Sequence, residues 1–209
     1  MANFVTLHAM RLGDAPRDWE SCLRLVAPRY RERATGPAPE PSRLGEFAAG
    51  LLLASVLGVR DDAALSVMPG GKPELVVGDP HIGISHDDGI AVLATAHAPV
   101  GVDVECVPPA FCRRERSALG MVLSARDLVL VEESADPALA FARAWTRVEA
   151  VLKAEGCGFG YPVRGGHLPP GWRVATFGLG AHVVSVATRE EPSVAVEWHP
   201  MARAIALLS

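Results

Sequence analysis

Residues 82–96, IGISHDDGIAVLATA, carry the pattern that decides the fold. Isoleucines alternate with small or polar residues up to the turn formers Asp87-Asp88-Gly89, and a second apolar run ends the stretch. Two such runs joined by an Asp-Gly turn predict an antiparallel hairpin. A third strand is predicted over Val100–Val107, because the prolines Pro108-Pro109 that follow it cannot continue a sheet.

A helix is predicted on the N-terminal side of this hairpin, from Arg43 to about Leu57. Ser42 is its expected N-cap and Gly58 its end, since these residue types satisfy the backbone groups that a helix leaves unpaired. The helix is mostly apolar, so we expect it to be buried. Asn3–His8 is predicted to be a further strand before it.

The same order of elements returns in the second half of the chain. A helical region with a break is predicted over Arg113–Glu133, and a second helix runs from about Ala138 to Glu155. Three strand-like segments follow this helix: Arg173–Phe177, Ala181–Thr188 and Ser193–His199. We expect these three segments to form a second small antiparallel sheet.

This doubled pattern predicts an α+β fold class with two similar α/β halves, a pseudo-dimer within one chain. Each half would hold a small antiparallel sheet with packed helices. The expected halves are residues 1–100 and residues 101–209. A cleft between two such halves is the expected place for an active site.

Composition excludes several classes of protein. Hydrophobic residues make up 49% of the 209 residues and charged residues 21%, which is enough apolar material for a folded core. The net charge is −4 and the basic residues are scattered, so we expect no nucleic-acid partner. The longest apolar stretch is too short to cross a bilayer, and no signal-peptide pattern is visible. We therefore expect a cytoplasmic protein with no membrane partner.

Lysine occupies only two of the 20 basic positions, Lys72 and Lys153, and arginine holds the others. A lysine ammonium is a compact point charge that suits phosphate, and the planar fork of arginine does not mimic it. The bias is a hint rather than evidence of a site, since chance can also leave two lysines.

Asp103 and Glu105 alternate on the predicted third strand, so both carboxylates project from one face. Neighbouring carboxylates repel each other unless a cation bridges them, and Mg²⁺ usually takes one or two protein carboxylates beside water and phosphate oxygens. The polar, solvent-facing side of an edge strand is the plainer interpretation, and the pair alone favours it.

Trp145, Glu149 and Lys153 recur at every fourth position, so they form one stripe along the second long helix. A surface Glu–Lys pair beside a buried tryptophan is the plainer interpretation, and the stripe alone favours it. A glutamate that adds a third ligand to the strand pair, with a lysine one turn further on for a phosphate oxygen, would complete a Mg–phosphate site.

Two turn segments hold further candidates. Ser85-His86-Asp87 lies at a predicted strand end, where a histidine is more often solvated than functional, although beside a serine it could donate a hydrogen bond to phosphate. Gly70-Gly71-Lys72-Pro73 is a turn that would present Lys72, and by itself it is only a loop.

The order and spacing of these motifs are specific when they are taken together. The motifs are GKP at 71–73, ISH at 84–86, GVDVE at 101–105 and WTRVEAVLK at 145–153. In this combination the chain resembles the 4′-phosphopantetheinyl transferases of the surfactin-synthetase type. The resemblance spans Arg43 to about Gly158, and both lysines lie within its motifs.

The resemblance implies a monomer of two similar α+β halves. Such an enzyme transfers 4′-phosphopantetheine from coenzyme A to a serine of an apo acyl, peptidyl or aryl carrier protein, and it releases adenosine 3′,5′-bisphosphate. The resemblance also implies Mg²⁺ as the cofactor, bound by Asp103, Glu105 and Glu149 against the pyrophosphate of coenzyme A.

The resemblance further implies which residues bind coenzyme A. These are Arg43 at the nucleotide, Lys72, Ser85 and His86 at its phosphates, and Lys153 at the pyrophosphate. The carrier serine would attack the β-phosphate while Lys153 stabilises the developing charge. Glu149 is the candidate base, with Asp103 as its competitor. The arginine-containing, partly apolar surface around 113–126 is the expected landing site for an acidic helix of the carrier protein.

Three positions depart from the family pattern. Val148 stands where a lysine is usual, Leu51 where a second basic residue often occurs, and Asp127 where glutamate is frequent. Weaker coenzyme A binding or a changed donor preference is the expected effect, since a charge-assisted contact to phosphate contributes about 1.5–3 kcal/mol.

Two alternatives stay open. The first is a catalytically impaired homologue that only binds coenzyme A or a carrier protein, against which the intact Asp103, Glu105, Glu149 and Lys153 argue. The second is a Mg-dependent phosphodiester hydrolase with the same carboxylates, although no obvious water-activating histidine stands beside them. Which carrier protein and pathway are served, and how broad the donor range is, are also open.

Overall fold

The computed structural model describes residues 3–158, 161, 163 and 165–209. Within these residues the strands are β1 (Asn3–Arg11), β2 (Leu65–Val67), β3 (Pro73–Leu75), β4 (His81–Asp87), β5 (Ile90–Ala96), β6 (Val100–Cys106), β7 (Arg173–Leu179), β8 (His182–Thr188) and β9 (Pro192–Trp198). The helices are α1 (Pro28–Ala34), α2 (Glu40–Leu57), α3 (Arg113–Val122), α4 (Ala125–Glu132), α5 (Pro137–Glu155) and α6 (Met201–Leu208). Short 3-10 helices lie at Leu12–Asp14, Trp19–Leu25 and Asp62–Ala64.

The strands build two main sheets and one small hairpin. One sheet has the order β4-β5-β1-β9, the other has the order β6-β8-β7, and β2 pairs with β3. Neighbouring strands are antiparallel except β1 and β9, which run parallel. This arrangement confirms the α+β class.

The elements around the predicted hairpin are confirmed. In the β4–β5 pair Asp87 lies opposite Ile90, so Asp88-Gly89 makes the two-residue turn. β6 follows as the third strand. The helical region before α5 is broken between α3 and α4 at Leu123-Ser124, as the pattern predicted.

The N-terminus of α2 corrects one prediction. The helix begins at Glu40, and Pro39 rather than Ser42 is its N-cap. Pro41 lies in the first turn, where its fixed φ suits a helix and its missing N–H costs no hydrogen bond. The other end is as predicted, because Gly58 takes the left-handed conformation with φ 70° and ends the helix.

Strand β9 corrects the predicted sheet of the second half. It leaves β7 and β8 and lies parallel to β1, with Val194 opposite Val5 and Val196 opposite Leu7. β6 does not extend the β4–β5 hairpin within its sheet but pairs with β8. The four-stranded sheet therefore takes β9 from the second half of the chain, whereas β6, β7 and β8 form the other sheet. The division into residues 1–100 and 101–209 stays a prediction.

Apolar packing joins these layers. α2 packs on one face of the four-stranded sheet, in a core that includes Phe47, Leu52 and Leu93. The opposite face of that sheet packs against the three-stranded sheet, with valines at its centre such as Val5 and Val102. α5 covers the three-stranded sheet and also packs against α3 and α4.

Helix α5 packs closely on β6 at Gly101. A Cβ atom at Gly101 of β6 would overlap the Ala150 carbonyl oxygen and the Ala154 backbone of α5. The missing side chain therefore lets the helix approach the strand closely, which brings the last turns of α5 beside β6 and the neighbouring β4.

Among the described helices, none combines the length and the apolar content that a membrane span requires.

Candidate active site

One charged junction ties β4, β6 and α5 together. Asp103 of β6 is 2% exposed, and its Oδ1 accepts hydrogen bonds from Ser85 Oγ of β4 at 2.9 Å and from Lys153 Nζ of α5 at 2.5 Å. Lys153 Nζ also donates to Ser85 Oγ at 3.0 Å. The structure thus brings together three of the predicted site residues from three separate motifs.

The two oxygens of the Asp103 carboxylate differ in their hydrogen bonding. Asp103 Oδ2 is buried and has no hydrogen-bond partner among the described residues. A buried polar atom without a partner costs free energy, and native proteins leave few of them. A cation at this oxygen would satisfy it.

More carboxylates surround Asp103. Burial, together with the charges of Asp103 and Asp87, raises the pKa of Glu105 to about 8. Burial and then the charge of Asp103 raise the pKa of Glu149 to about 6, although Lys153 opposes the rise. Asp87 was treated only as a turn residue in the sequence, and here its Oδ2 accepts a hydrogen bond from the Cys106 backbone N–H at 2.7 Å. Four acidic side chains therefore repel each other in one half-buried region.

This donor set fits Mg²⁺. Carboxylate oxygens are the hard ligands that this ion prefers, and Asp103 Oδ2 is an unpaired one. Within the described chain, Asp103, Glu105 and Glu149 do not bring one oxygen each within 4.8 Å of one another. A closed cage is not needed, because Mg²⁺ usually keeps several waters and takes only one or two protein carboxylates.

Lys153 remains a cation at this junction. Burial lowers the pKa of its ammonium, but the nearby charges of Asp103 and Glu149 raise it more, and the pKa ends above its usual value. A protonated Lys153 balances part of the negative charge and leaves one N–H donor for a further partner.

A cavity of about 330 Å³ opens beside the junction. Its walls come from α1, α2, β4, the end of α5 and the turn before β3. The charged and polar lining residues are Tyr30, Arg33, Glu46, Lys72, Ser85, His86 and Lys153. Cations outnumber carboxylates in this lining, so the cavity suits an anionic ligand.

Lys72 is placed by the contact between its turn and the end of α5. The Gly70 backbone N–H donates to the Gly156 carbonyl oxygen at 3.1 Å, and Lys72 Nζ donates to the Ala154 carbonyl oxygen at 3.3 Å. The residue is only 8% exposed. Burial lowers the pKa of Lys72, and Glu74 opposes that shift. The GKP segment is therefore a positioned wall of the cavity rather than a free loop.

The His86 ring lines the cavity and packs directly against the backbone of Gly45 in α2. A Cβ atom at Gly45 would lie 2.5 Å from His86 Nδ1, so only glycine leaves room for the ring. His86 Nε2 lies 3.5 Å from Glu46 Oε1, and Arg33 Nη1 lies 3.6 Å from Glu46 Oε2. Burial raises the pKa of Glu46, but His86 and Arg33 lower it more, so its pKa ends below the usual value.

Sequence reasoning missed Glu46 and Arg33. The signal for Glu46 was the Gly45-Glu46 pair in the predicted helix, which becomes informative only once His86 is known to pack against it. Arg33 lies on α1, outside every motif, and no local pattern distinguishes it from the other arginines.

Arg43 lies elsewhere. Its Nη1 donates to Glu20 Oε1 at 2.7 Å and to the Ala34 carbonyl oxygen at 3.3 Å, and its guanidinium lies 5.8 Å from the Trp19 ring centroid. It is not among the residues that line the cavity. Its contact with a nucleotide stays a prediction.

The three departures from the family pattern also lie outside the cavity. Val148 lies on α5 and is buried in the apolar cluster that α5 shares with α3 and α4. Leu51 lies on α2 and is buried in the core beneath that helix. Asp127 belongs to the cap of α4, where its Oδ2 accepts a hydrogen bond from Ser124 Oγ at 2.7 Å. The described cavity therefore keeps its cations in spite of these departures.

A second cavity of about 320 Å³ reaches the Glu105 end of the carboxylates. It is lined by Glu105, Cys106, Pro108, Arg114, Glu115, Ala118, Phe141 and Trp145. Apolar rings and the Glu105 carboxylate thus face the same space.

Comparison with protein families identifies the family of this chain. The family model of the 4′-phosphopantetheinyl transferase superfamily matches residues 99–206, which is more than half of the chain. The chain belongs to the 4′-phosphopantetheinyl transferase superfamily. The matched segment contains the Asp103, Glu105, Glu149 and Lys153 side chains. Members of this superfamily transfer phosphopantetheine, act on coenzyme A and carrier proteins, and typically use a divalent metal. A search of curated proteins finds no match to this chain.

Proposed function

We propose that this superfamily member is a surfactin-synthetase-type, Mg-dependent holo-carrier-protein synthase, acting in the cytoplasm as a monomer. It would transfer 4′-phosphopantetheine from coenzyme A to a serine of an apo acyl or peptidyl carrier protein. The observation that carries the proposal is the Ser85–Asp103–Lys153 junction, which contributes Ser85 and Lys153 to the wall of a cation-lined cavity.

The cavity residues suit the phosphates of coenzyme A. Lys72, His86 and Lys153 supply donors of positive or neutral charge around one space, and Ser85 adds a hydroxyl. Hydrogen bonds from charged donors to phosphate are about twice as strong as neutral ones. In this proposal Lys72, Ser85 and His86 hold phosphates of coenzyme A, and Lys153 contacts the pyrophosphate.

Asp103, Glu105 and Glu149 would hold Mg²⁺ in this proposal. When bound, the ion would neutralise negative charge on the phosphoryl oxygens and relieve the repulsion among the carboxylates. The unpaired Asp103 Oδ2 supports this assignment.

Two residues of the chain would act in the transfer itself, one as the base for the serine proton and one to stabilise negative charge. The carrier serine Oγ attacks the β-phosphorus, the bond from that phosphorus to the oxygen of the leaving adenosine 3′,5′-bisphosphate breaks, and the serine proton passes to a base. Glu149 is the proposed base, because Asp103 Oδ1 already accepts hydrogen bonds from Ser85 and Lys153. Lys153 stabilises the charge that develops on the oxygens of the pyrophosphate.

The carrier protein is proposed to dock on α3 and α4. Arg113, Arg114 and Arg126 lie on these helices, and Met121 and Leu130 expose 66% and 61% of their surface there. A positive and apolar surface of this kind suits an acidic, amphipathic helix next to the accepting serine.

The positions of Val148 and Leu51 favour catalysis over the binding-only alternative. Both side chains belong to apolar cores, and neither takes a cation away from the described cavity. A homologue that only binds a carrier protein would have no use for a buried, unpaired carboxylate oxygen.

Intact-protein mass spectrometry of apo carrier proteins tests the function. Carriers from fatty-acid, polyketide and nonribosomal-peptide synthesis are incubated with coenzyme A, Mg²⁺ and wild type, Glu149→Gln or the matched control Glu191→Gln. Glu191 is exposed in the turn before β9. We expect a gain of one phosphopantetheinyl group on at least one carrier with wild type and Glu191→Gln, and no gain with Glu149→Gln or with a chelator.

Two results would contradict the proposal. Unchanged carriers together with measurable coenzyme A binding would identify the binding-only homologue. Cleavage of coenzyme A at the same rate without any carrier would identify the hydrolase.

A further inference from the structure

We propose that His8, Glu197 and His199 form a binding site for a zinc-class divalent metal ion. The site is separate from the cavity residues and from the Asp103 carboxylate group, and it stands independently of the proposed transfer reaction. It lies at the edge of the four-stranded sheet, where β9 pairs with β1.

One possible ligand atom from each residue forms a triangle, and the structure gives all three distances between these atoms. His8 Nδ1 lies 3.0 Å from His199 Nε2 and 3.4 Å from Glu197 Oε2, and His199 Nε2 lies 3.9 Å from Glu197 Oε2. Ligand atoms about 2.0–2.1 Å from a tetrahedral zinc ion lie about 3.3–3.4 Å from one another. The observed triangle matches one face of such a tetrahedron without a large movement of any side chain.

Regular backbone structure holds these donors in place. His8 lies directly opposite Glu197 in the parallel β1–β9 pair. The His199 backbone N–H donates to the Ala9 carbonyl oxygen at 2.8 Å, so the pairing continues past the end of β9. Glu197 and His199 are two residues apart along this extended segment and project to one side. Sites built on strands in this way are more rigid than sites built on loops.

The surroundings complete a metal site. His8 Nε2 lies 3.3 Å from Thr95 Oγ1, and donation of the Nε2 proton to this hydroxyl leaves the Nδ1 lone pair for a metal. The side chain of His8 is 8% exposed, whereas those of His199 and Glu197 are 28% and 59% exposed. Solvent therefore reaches the site from one side, where an ion can enter and a water can take the fourth position.

The ligand types select the metal. Two imidazole nitrogens and one carboxylate are one of the established ligand sets of zinc sites that keep one position open. Mg²⁺ prefers oxygen ligands in an octahedron, so it competes poorly for this set. A bound ion would join residue 8 to residues 197 and 199, and so fasten the strand that crosses from the second half of the chain to the sheet of the first half.

Equilibrium dialysis against Zn²⁺ in excess Mg²⁺, read by elemental analysis of the protein, tests the site. Excess Mg²⁺ is included to compete for the carboxylates around Asp103 and so limit zinc binding there. The variants are His199→Ala, Glu197→Gln and Thr95→Val, with His97→Ala as the matched histidine control because that side chain is 88% exposed. Circular dichroism of the metal-free variants checks that each one is folded.

We expect one zinc per chain in wild type and in His97→Ala. His199→Ala and Glu197→Gln each lose a ligand, so their affinity should fall by at least about 100-fold, and Thr95→Val should weaken binding by about tenfold. Zinc at a hundredfold excess over Kd should raise the Tm of wild type and His97→Ala by about 5–10 °C and leave that of His199→Ala unchanged.

Equal zinc content and equal affinity in wild type and His199→Ala would overturn the proposal. So would wild-type protein that binds no zinc under these conditions.

Discussion

Helices α2 and α5 hold corresponding places in the two halves of the chain, yet they contribute differently to the site. Each precedes an antiparallel hairpin, and each packs closely at a glycine. Lys153 of α5 donates a hydrogen bond to Asp103, and Glu149 of α5 lies close enough to Asp103 for the Asp103 charge to raise its pKa. Among the described residues, no α2 side chain forms a hydrogen bond or an ion pair with Asp103, and Glu46 of α2 instead pairs with His86. Under the proposed function, α5 would supply the side chains for the metal and charge chemistry, while α2 would position His86 for phosphate.

The largest expected effect comes from removing Lys153, the cation of α5 that contacts Asp103. Lys153→Met should lower the kcat of transfer by about 10²–10³-fold, as loss of one donor to developing charge does in other enzymes. Arg143→Met, an exposed cation on the same helix, is the matched control and should leave kcat unchanged. Steady-state kinetics measure both values. A kcat for Lys153→Met within threefold of wild type would exclude Lys153 from the stabilisation of developing charge.

The second prediction concerns the close approach of α5 to β6. Gly101→Ala places a methyl group against the Ala150 and Ala154 backbone, so the helix must shift, and we expect a loss of about 3 kcal/mol or more in the free energy of unfolding. Gly178→Ala on β7 is the control, because nothing lies within 4 Å of the added atom. Urea unfolding measures both. Equal stabilities would mean that α5 does not depend on this approach to reach Asp103.

The third and smallest effect tests α2. Glu46→Gln removes the carboxylate charge that holds His86 and Arg33, so KM for coenzyme A should rise about three- to tenfold. This effect is smaller than the loss of a direct charge-assisted contact to phosphate, because glutamine still offers a hydrogen-bonding side chain beside His86 and Arg33. The kcat should stay within about twofold, because Glu46 does not touch the reacting atoms in this account. Glu40→Gln, exposed in the first turn of the same helix, is the control. A large fall in kcat with constant KM would give α2 a direct part in the chemistry.

Much of the local structure could be predicted because its signals are local. The Asp-Gly turn between β4 and β5 and the glycine at the end of each long helix are short-range patterns. Val194 and Val196 showed equally clearly that β9 is a strand, but not that it pairs with β1 at the far end of the chain. The partner of a strand depends on which apolar faces are buried together in the folded core, and a short stretch of sequence does not contain that information.

The candidate site shows the same division. The resemblance named Asp103, Lys153 and Ser85, and the structure brings these three into contact. It did not predict that Arg43 pairs with Glu20, or that Asp87 joins the carboxylates. Those two facts depend on how the 3-10 helix Trp19–Leu25 packs against α2 and how the β4–β5 turn packs against β6, which are properties of the folded chain.

The most direct test of the central claim is the mass of an apo carrier protein after incubation with coenzyme A, Mg²⁺ and either wild type or Asp103→Asn. The substitution keeps the shape of the side chain and removes its charge, and Asp14→Asn is the exposed control. The account predicts a gain of one phosphopantetheinyl group with wild type and Asp14→Asn, and none with Asp103→Asn. An equal gain with Asp103→Asn, or no gain with wild type on any class of carrier, would contradict it.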